Sequence, residues 1–190
     1  MRYQHTICDY PWWYPERNNP NTKFGTGARK YRLEKTEAAC EFPVQDIASI
    51  DSCMLWFWAT GPRLEDAFKI INTWGFKYTT LAFVWIKVNK DKSIRKGPGH
   101  YTASNAELVL LAYRGHPQLP YHKLEPQVIL APIRGHSHKP LHVHRYIEYN
   151  WPSDTKIELF ATQTRPGWTC LGDTIDGKDL RDSLREVANE

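Results

Sequence analysis

Asp9-Tyr10-Pro11-Trp12 is the segment of this sequence whose residue types best suit chemistry. The amino nitrogen of adenine is a poor nucleophile because its lone pair is delocalised into the ring. A carboxylate and a fixed backbone carbonyl that accept hydrogen bonds from both amino hydrogens localise that lone pair. An aromatic side chain beside them stacks on a base that has left the duplex. An Asp and a Trp after a strand are also typical of a helix cap and a core aromatic, and this alternative stays open.

Four histidines, His136, His138, His142 and His144, lie close enough in the sequence to suggest a metal site. No carboxylate or cysteine lies near them in this run, and Lys139 in its middle would repel a cation. We therefore expect no bound metal. We expect His142 and His144 to face solvent or a partner.

Positive charge is concentrated in two segments that are poor in regular structure. The formal net charge of +4 is too small to identify nucleic acid as the partner by itself. However, Lys and Arg outnumber Asp and Glu in segment 13–35 and in segment 87–96, which runs into the loop 89–100. A polyanion would be bound by such loops. Two solvated surface loops are the alternative.

Length and composition fit one globular domain over residues 1–190. The chain is 41% hydrophobic and 24% charged, and it contains four widely spaced cysteines without a C-x-x-C pair. We expect reduced thiols rather than a disulfide scaffold or a zinc ribbon. No apolar run approaches the roughly 18 residues of a membrane span, and the N-terminus lacks the apolar run of a secretory signal. These features predict a cytoplasmic protein with no membrane partner.

Strands and helices must position the candidate residues. Along the sequence, apolar runs with a strand pattern alternate with apolar runs with a helix pattern. Strands are predicted at 3–8, 53–59, 78–88, 107–113 and 156–161, with a short edge segment at 126–131. Helices are predicted at 44–50, 64–74, 141–149 and 180–187. This alternation predicts an α/β sandwich with a mostly parallel sheet. Ligands bind beyond the carboxyl ends of such strands, which selects five residues by position: Asp9, Thr60, Asn89, Gly115 and Thr162.

Asp9-Tyr10-Pro11-Trp12, called the tetrad below, resembles the D-P-P-W signature of the MT-A70 adenine methyltransferases. This family includes the eukaryotic messenger-RNA adenosine methyltransferase and many bacterial and phage DNA enzymes. Further segments resemble its later motifs in the same order and cover nearly the whole chain. They are Gly99-His100-Tyr101, Asn105-Ala106-Glu107-Leu108, Arg114-Gly115, the loop with Arg134, Ser137, His138, Lys139 and Pro140, and the ending formed by Lys156-Ile157-Glu158-Leu159-Phe160-Ala161, Gly167-Trp168 and Leu171-Gly172.

The resemblance implies a Rossmann-like methyltransferase fold, circularly permuted so that the catalytic strand comes first and the cofactor strand last. It implies methyl transfer from S-adenosylmethionine to the exocyclic amino group of adenine, which gives N6-methyladenine. The implied catalytic residues are Asp9, Tyr10, Pro11 and Trp12. The implied cofactor-binding residues are Cys8, Asp9, Lys139, Phe160, Thr162, Asp173 and Thr174, with Lys139 meeting the methionine carboxylate.

The nucleic-acid-binding residues are expected in the two basic loops and in the resembled motifs, and both loops should rise from the same edge of the sheet. They are Trp13, Tyr14, Lys23, Arg29, Lys30, Lys90, Lys92, Arg95, Lys96, His100, Tyr101, Asn105 and Arg134.

Three positions depart from the family pattern. Tyr10 stands where the signature has a proline, Thr162 where an arginine is frequent, and Asp173 where an asparagine is found. The first departure removes a rigid turn residue, and the others alter the expected contacts with the cofactor.

DNA is the expected substrate over RNA, because the chain is a bare catalytic domain without zinc fingers or arginine-glycine tails. The same activity on RNA and a catalytically silent, nucleic-acid-binding partner subunit remain alternatives. A homodimer or a heterodimer is compatible with the sequence.

Overall fold

Among the residues that the structure describes, seven strands form one sheet. The computed structural model describes residues 2–14, 35–99, 101–122, 124–134 and 138–189. The strands are β1 (His5–Cys8), β2 (Ser52–Ala59), β3 (Lys77–Val88), β4 (Ala106–Gly115), β5 (Val128–Pro132), β6 (Lys156–Leu159) and β7 (Thr169–Leu171). Their order is β5-β3-β4-β2-β1-β6-β7. Neighbouring strands pair in parallel, except that β4 is antiparallel to both β2 and β3.

Helices cover both faces of this sheet. They are α1 (Thr36–Cys40), α2 (Val44–Ile47), α3 (Leu64–Thr73), α4 (His142–Asn150), α5 (Asp173–Asp176) and α6 (Leu180–Asn189). Apolar residues of α1, α2, α3 and α6 pack into one core, whereas those of α4 pack into a second core. The predicted α/β sandwich with a mostly parallel sheet is confirmed, and it is consistent with a Rossmann-like methyltransferase fold.

The position of β2 between the two cores explains why its sequence is a continuous apolar run. Leu55 and Phe57 enter the first core, and Trp56 and Trp58 enter the second. Successive side chains of a strand point to opposite faces, so a strand covered on both sides must be apolar throughout. This strand pairs with β1 and fixes the end of β1 deep in the sheet.

Strand β1 lies between β2 and β6, which brings the two ends of the chain together. Cys8 is opposite Leu159 in the β1–β6 register. The residues that follow β1 therefore meet the residues that follow β6 at one carboxyl edge. This placement joins Asp9 to the region around residue 160.

The prediction that Gly115 lies at this edge is wrong. Apolar periodicity does not reveal strand direction, and β4 runs antiparallel, so that its last residue lies at the opposite edge. A Cβ atom on Gly115 would lie 2.2 Å from the carbonyl oxygen of Asp51, and the φ angle of this glycine is +68°. The absence of a side chain at Gly115 therefore allows the backbone of β4 to lie close to the backbone at Asp51, at the edge opposite the candidate site.

Several predicted elements end earlier than expected. The helix after Pro43 stops at Ile47, because Ala48 has an extended backbone and forms an isolated bridge with Tyr3. Strand β6 stops at Leu159, because Phe160 has a positive φ of 60°. Helices α1 and α5 and strand β7 were not predicted, since each is five residues or shorter and contains no run of large apolar residues.

Candidate active site

Asp9 and Lys139 form the centre of the candidate site. Asp9 directly follows β1, and its Oδ2 atom lies 2.6 Å from the Nζ atom of Lys139. Lys139 belongs to the segment between β5 and α4, which delivers it to the same edge. Two residues of the predicted site, far apart in the sequence, are therefore in direct contact.

Glu107 extends this pair into a row of alternating charges. Its Oε2 atom lies 3.3 Å from Lys139 Nζ, and its Oε1 atom lies 2.5 Å from Lys87 Nζ. Since β4 is antiparallel, Glu107 near its start reaches the carboxyl edge that Asp9 occupies. The row Asp9–Lys139–Glu107–Lys87 contains two negative and two positive groups, which compensate one another where water is partly excluded.

The pKa values follow from burial and from these neighbours. Burial raises the pKa of the Asp9 carboxyl above its ordinary value, and the Lys139 ammonium opposes this shift without cancelling it. Burial acts to raise the pKa of Glu107 as well, but the charges of Lys139 and Lys87 outweigh it and hold this pKa below the ordinary value. Burial acts to lower the pKa of Lys139, yet Asp9 and Glu107 raise it overall. Lys139 is therefore a permanent cation at neutral pH.

The two lysines of this row, Lys139 and Lys87, each lie over the ring of a tryptophan. Lys139 Nζ lies 5.6 Å from the centre of the Trp58 ring, and Lys87 Nζ lies 5.1 Å from the centre of the Trp85 ring. The two rings meet edge to face and are 2% and 3% exposed. Cation–π contacts of this kind restrict where an ammonium group rests.

The remaining tetrad residues are arranged around a tight turn. The backbone carbonyl of Tyr10 accepts a hydrogen bond of 2.9 Å from the Trp12 amide. The Trp12 side chain is 7% exposed and packs edge-on against Tyr10 and Phe57. Trp12 is thus a core aromatic at this position, and its role as a base-stacking residue stays a prediction.

Trp13 and Tyr14 are held by residues that follow β2. The guanidinium of Arg63 donates to the Trp13 carbonyl and lies over the Tyr14 ring at 4.9 Å. A hydrogen bond of 2.7 Å joins the hydroxyls of Tyr14 and Thr60. The chain leaving the tetrad is therefore anchored to the carboxyl end of β2.

Several predicted cofactor residues lie at the carboxyl ends of β1, β6 and β7. Cys8 is fully buried, and burial raises the pKa of its thiol, so this residue presents almost no exposed surface to a ligand. Phe160 packs edge-on against Tyr10 at 5.2 Å, whereas Thr162 and Asp173 are exposed. Thr174 donates from its hydroxyl to the Ala161 carbonyl at 3.2 Å.

Gly172 permits the close approach of these two strand ends. A Cβ atom there would lie 2.3 Å from the Ala161 carbonyl oxygen. A side chain would therefore force β6 and β7 apart, which explains the glycine in the resembled Leu171-Gly172 pair.

The described part of the basic loop, residues 89–99, turns back on β3. Ile94 bridges Val88, and the Arg95 amide donates to the Lys87 carbonyl at 2.9 Å. The four predicted nucleic-acid residues in this part, Lys90, Lys92, Arg95 and Lys96, are all exposed. They lie beyond the carboxyl end of β3, on the edge that carries Asp9.

The other predicted nucleic-acid residues differ in exposure. Tyr101 is fully exposed, Arg134 is exposed beyond β5, and Asn105 is half-buried. Lys23, Arg29, Lys30 and His100 lie outside the described residues.

The expectation that both α4 histidines face solvent or a partner is wrong for His144. Its Nε2 atom lies 2.9 Å from Glu158 of β6, and the residue is 4% exposed. His142 lies 2.7 Å from Glu125. Each histidine thus faces a carboxylate that is distant in the sequence, and no group of three or more potential metal ligands occurs among the described residues. In the same part of the chain, no helix is long and apolar enough to cross a membrane.

Glu107, Lys87 and Arg63 received no catalytic or binding role from the sequence. The position of Lys87, a charged residue within an apolar strand, could have indicated that it has a specific partner. Glu107 lies in the resembled N-x-E-L stretch, and Arg63 follows the Gly61-Pro62 strand end. Their contacts require the tertiary fold.

Comparisons with known proteins identify the family of this chain. A sequence model of the MT-A70 family matches residues 3–174. The chain is 32% identical to the Type II methyltransferase M.MunI of a Mycoplasma species, over 90% of this chain and 77% of that protein. It is 35% identical to the human N(6)-adenosine-methyltransferase catalytic subunit METTL3, over 70% of this chain. The chain covers only 23% of the length of METTL3. The chain belongs to the MT-A70 family of adenine methyltransferases.

Proposed function

We propose that this protein transfers a methyl group from S-adenosylmethionine to the exocyclic amino group of an adenine in DNA. The observation that carries the proposal is the contact of 2.6 Å between Asp9 Oδ2 and Lys139 Nζ at the end of the central strand. It joins the residue proposed to act on adenine to the residue proposed to bind the cofactor. The residues proposed for activation of adenine and for cofactor binding therefore belong to one cluster of charged side chains.

The residues at this edge fit the chemistry of the cofactor. The Lys139 ammonium suits a carboxylate, and the exposed Asp173 carboxylate at the start of α5 suits sugar hydroxyls. Glu107 and Trp58 hold the Lys139 ammonium in place from two sides. When bound, S-adenosylmethionine supplies a methyl group made electrophilic by the sulfonium. This chemistry requires no metal.

Asp9 prepares the amino group of the base. Its carboxylate accepts a hydrogen bond from one amino hydrogen, and a backbone carbonyl of the tetrad accepts from the other. These bonds localise the nitrogen lone pair and stabilise the positive charge that develops on nitrogen as its bond to the methyl carbon forms and the bond from that carbon to sulfur breaks. One amino proton then passes to solvent, which leaves neutral N6-methyladenine. Burial raises the pKa of the Asp9 carboxyl, and the Lys139 ammonium at 2.6 Å opposes that rise and favours the ionised form. In this form Asp9 acts as an acceptor rather than as an acid.

Exposed basic side chains would bind the phosphate backbone. Lys90, Lys92, Arg95 and Lys96 follow β3, and Arg134 follows β5, on the edge where Asp9 lies. Contacts of this type fix the position of a nucleic acid without reading its sequence. They support nucleic acid as the substrate class.

DNA is favoured by the extent of the two matches. The match to the Type II methyltransferase M.MunI extends over 77% of that protein, whereas the match to the N(6)-adenosine-methyltransferase subunit METTL3 extends over 23%. We expect a Type II methyltransferase to act on DNA, and we expect a chain that corresponds to most of M.MunI to share its substrate class. The same activity on RNA is the alternative outcome.

The test is methyl transfer from labelled S-adenosylmethionine by the purified protein. The acceptors are unmethylated genomic DNA, the same DNA after denaturation, and RNA transcribed from it. We expect label in DNA, recovered as N6-methyladenine after digestion to nucleosides. Label in RNA alone overturns the choice of DNA. No transfer to any acceptor, while nucleic acid is still bound, supports the silent-subunit alternative and overturns the proposal.

A further inference from the structure

Tyr10 stands where the family signature has a proline, and its side chain is built into the core. It is 2% exposed, and its ring meets Trp12 at 4.9 Å and Phe160 at 5.2 Å, edge to face. Phe160 in turn meets Phe42 at 5.5 Å. The ring therefore packs between the catalytic turn and the end of β6.

The Tyr10 hydroxyl makes a contact that no proline can make. It donates a hydrogen bond of 2.7 Å to the Lys35 carbonyl. The same carbonyl accepts the first backbone bond of α1, from the Ala39 amide at 3.2 Å. Helix α1 is itself fixed to α3's end, because the Trp74 indole donates to the Ala39 carbonyl at 2.8 Å. The residue after Asp9 is thereby tied to a helix that the core holds firmly.

The backbone of the turn depends on this side chain. A proline at this position restricts the φ angle through its ring and so makes the turn rigid. Tyr10 lacks that restriction, yet its carbonyl must stay oriented for the bond of 2.9 Å from the Trp12 amide. The packing of the ring among aromatics and the hydrogen bond of the hydroxyl to the Lys35 carbonyl restrict rotation of this residue.

We infer that Tyr10 is a positioning residue that replaces the rigid proline and holds the Asp9 carboxylate in its productive orientation. The inference rests on the proposed function, since orientation of Asp9 matters only for a reaction at that carboxylate. Tyr10 touches neither adenine nor cofactor in this role. It acts through the backbone of residues 9–12.

The test is the substitution Tyr10→Phe, which removes the hydroxyl and keeps the ring. We expect kcat for methyl transfer to fall about tenfold, because small misplacements of catalytic groups are costly. The KM for nucleic acid and the dissociation constant of S-adenosylmethionine should stay within about twofold of the parent. Hydrogen exchange at the Trp12 amide should become faster.

Tyr3→Phe is the matched control. Tyr3 is 3% exposed, and its hydroxyl donates to Thr169 Oγ1 at 2.8 Å, near the amino ends of β1 and β7. This variant loses an equivalent hydrogen bond away from Asp9 and should retain kcat.

Three results overturn the inference: an unchanged kcat in Tyr10→Phe, an equal loss of kcat in Tyr3→Phe, or weakened cofactor binding in Tyr10→Phe. If the parent protein transfers no methyl group, the proposed function fails separately. In that case exchange at the Trp12 amide decides whether Tyr10 holds the turn.

Discussion

Lys139 Nζ lies 2.6 Å from Asp9 Oδ2, although 130 residues separate the two in the chain. Each residue shifts the pKa of the other: burial raises the pKa of the half-buried Asp9 carboxyl and the Lys139 ammonium opposes that rise, whereas burial acts to lower the pKa of Lys139 and the charges of Asp9 and Glu107 outweigh it. Substitution of either residue therefore shifts the pKa of its partner. The first two predictions use separate readouts for this reason.

Asp9→Ala should lower the rate of methyl transfer at saturating cofactor by about a hundredfold or more, which is about 2.7 kcal/mol of transition-state stabilisation. The cause is loss of the acceptor that localises the adenine lone pair. Single-turnover kinetics measure this rate directly. Asp46→Ala, at an exposed position of α2, is the control and should have the parent rate. Near-normal turnover by Asp9→Ala would exclude Asp9 from the reaction.

Lys139→Ala should weaken binding of S-adenosylmethionine by about 1.5 to 3 kcal/mol, the range for a hydrogen bond to a charged group. Titration calorimetry gives this value without a turnover assay. Lys69→Ala, at an exposed position of α3, is the matched control. Equal affinity in the Lys139 variant and the parent would show that the ammonium serves Asp9 and Glu107 alone.

Removing the charges of Lys90, Lys92, Arg95 and Lys96 together should weaken binding to nucleic acid. The dependence of log affinity on log salt concentration should flatten by about 0.9 for each phosphate group that the variant no longer binds. Cofactor affinity should not change. Binding isotherms at several salt concentrations provide the slope.

The control for this loop is a second quadruple variant with the same change in net charge. It neutralises exposed basic residues on α3, β3, α4 and α6, namely Lys69, Lys77, Arg145 and Arg185. An identical slope in both quadruple variants would mean that the loop contributes only to the general charge of the protein. A loss of cofactor binding in the loop variant would assign the loop to the cofactor pocket.

His5 should make the protein less stable in mild acid. Burial lowers the pKa of His5 from 6.5 to about 4, although Asp154 at 3.1 Å acts in the opposite direction. Between these two pH values the unfolded chain binds a proton that the folded protein does not bind. The free energy of unfolding therefore falls as pH falls from 6.5 to 4, by about 3 kcal/mol in total.

Denaturant unfolding at a series of pH values measures this slope. His5→Gln should have a flatter dependence between pH 6.5 and 4 than the parent, whatever its stability at neutral pH. His116→Gln, at an exposed position, should keep the parent slope. A parent whose stability is constant over this range would contradict the lowered pKa.

The fold was predictable wherever a long apolar pattern was present. The run 53–59 predicted β2 almost to the residue, and the spacing of apolar residues predicted α3. The direction of β4 was not predictable, because pairing partners rather than residue types decide whether a strand runs parallel. The end of β6 was missed because nothing in its residue types indicates the positive φ at Phe160.

The proximity of two candidate site residues followed from the sequence, whereas most contacts around them did not, and the roles of these residues stay predictions. Sequence resemblance selected Asp9 and Lys139, and the structure brings them together. It did not reveal that Glu107 links Lys139 to Lys87, since that contact depends on the reversed direction of β4. Burial of His144 against Glu158 was missed for a similar reason, because a carboxylate on another element supplies its partner.

The reversal of β4 also has a consequence for variation among relatives of this protein. Because β3 ends and β4 begins at the same edge, the described residues of the connection, 89–99 and 101–105, leave and enter the sheet at the edge where Asp9 lies. Insertions or deletions in that connection alter the rim of the site. They leave intact the pairing of β3 with β4, which begins at Ile86 and Ala106. A surface loop of this kind tolerates changes in length at small cost in stability. Substrate preference can therefore diverge in this fold through a single hairpin connection, independently of the residues that carry out the reaction.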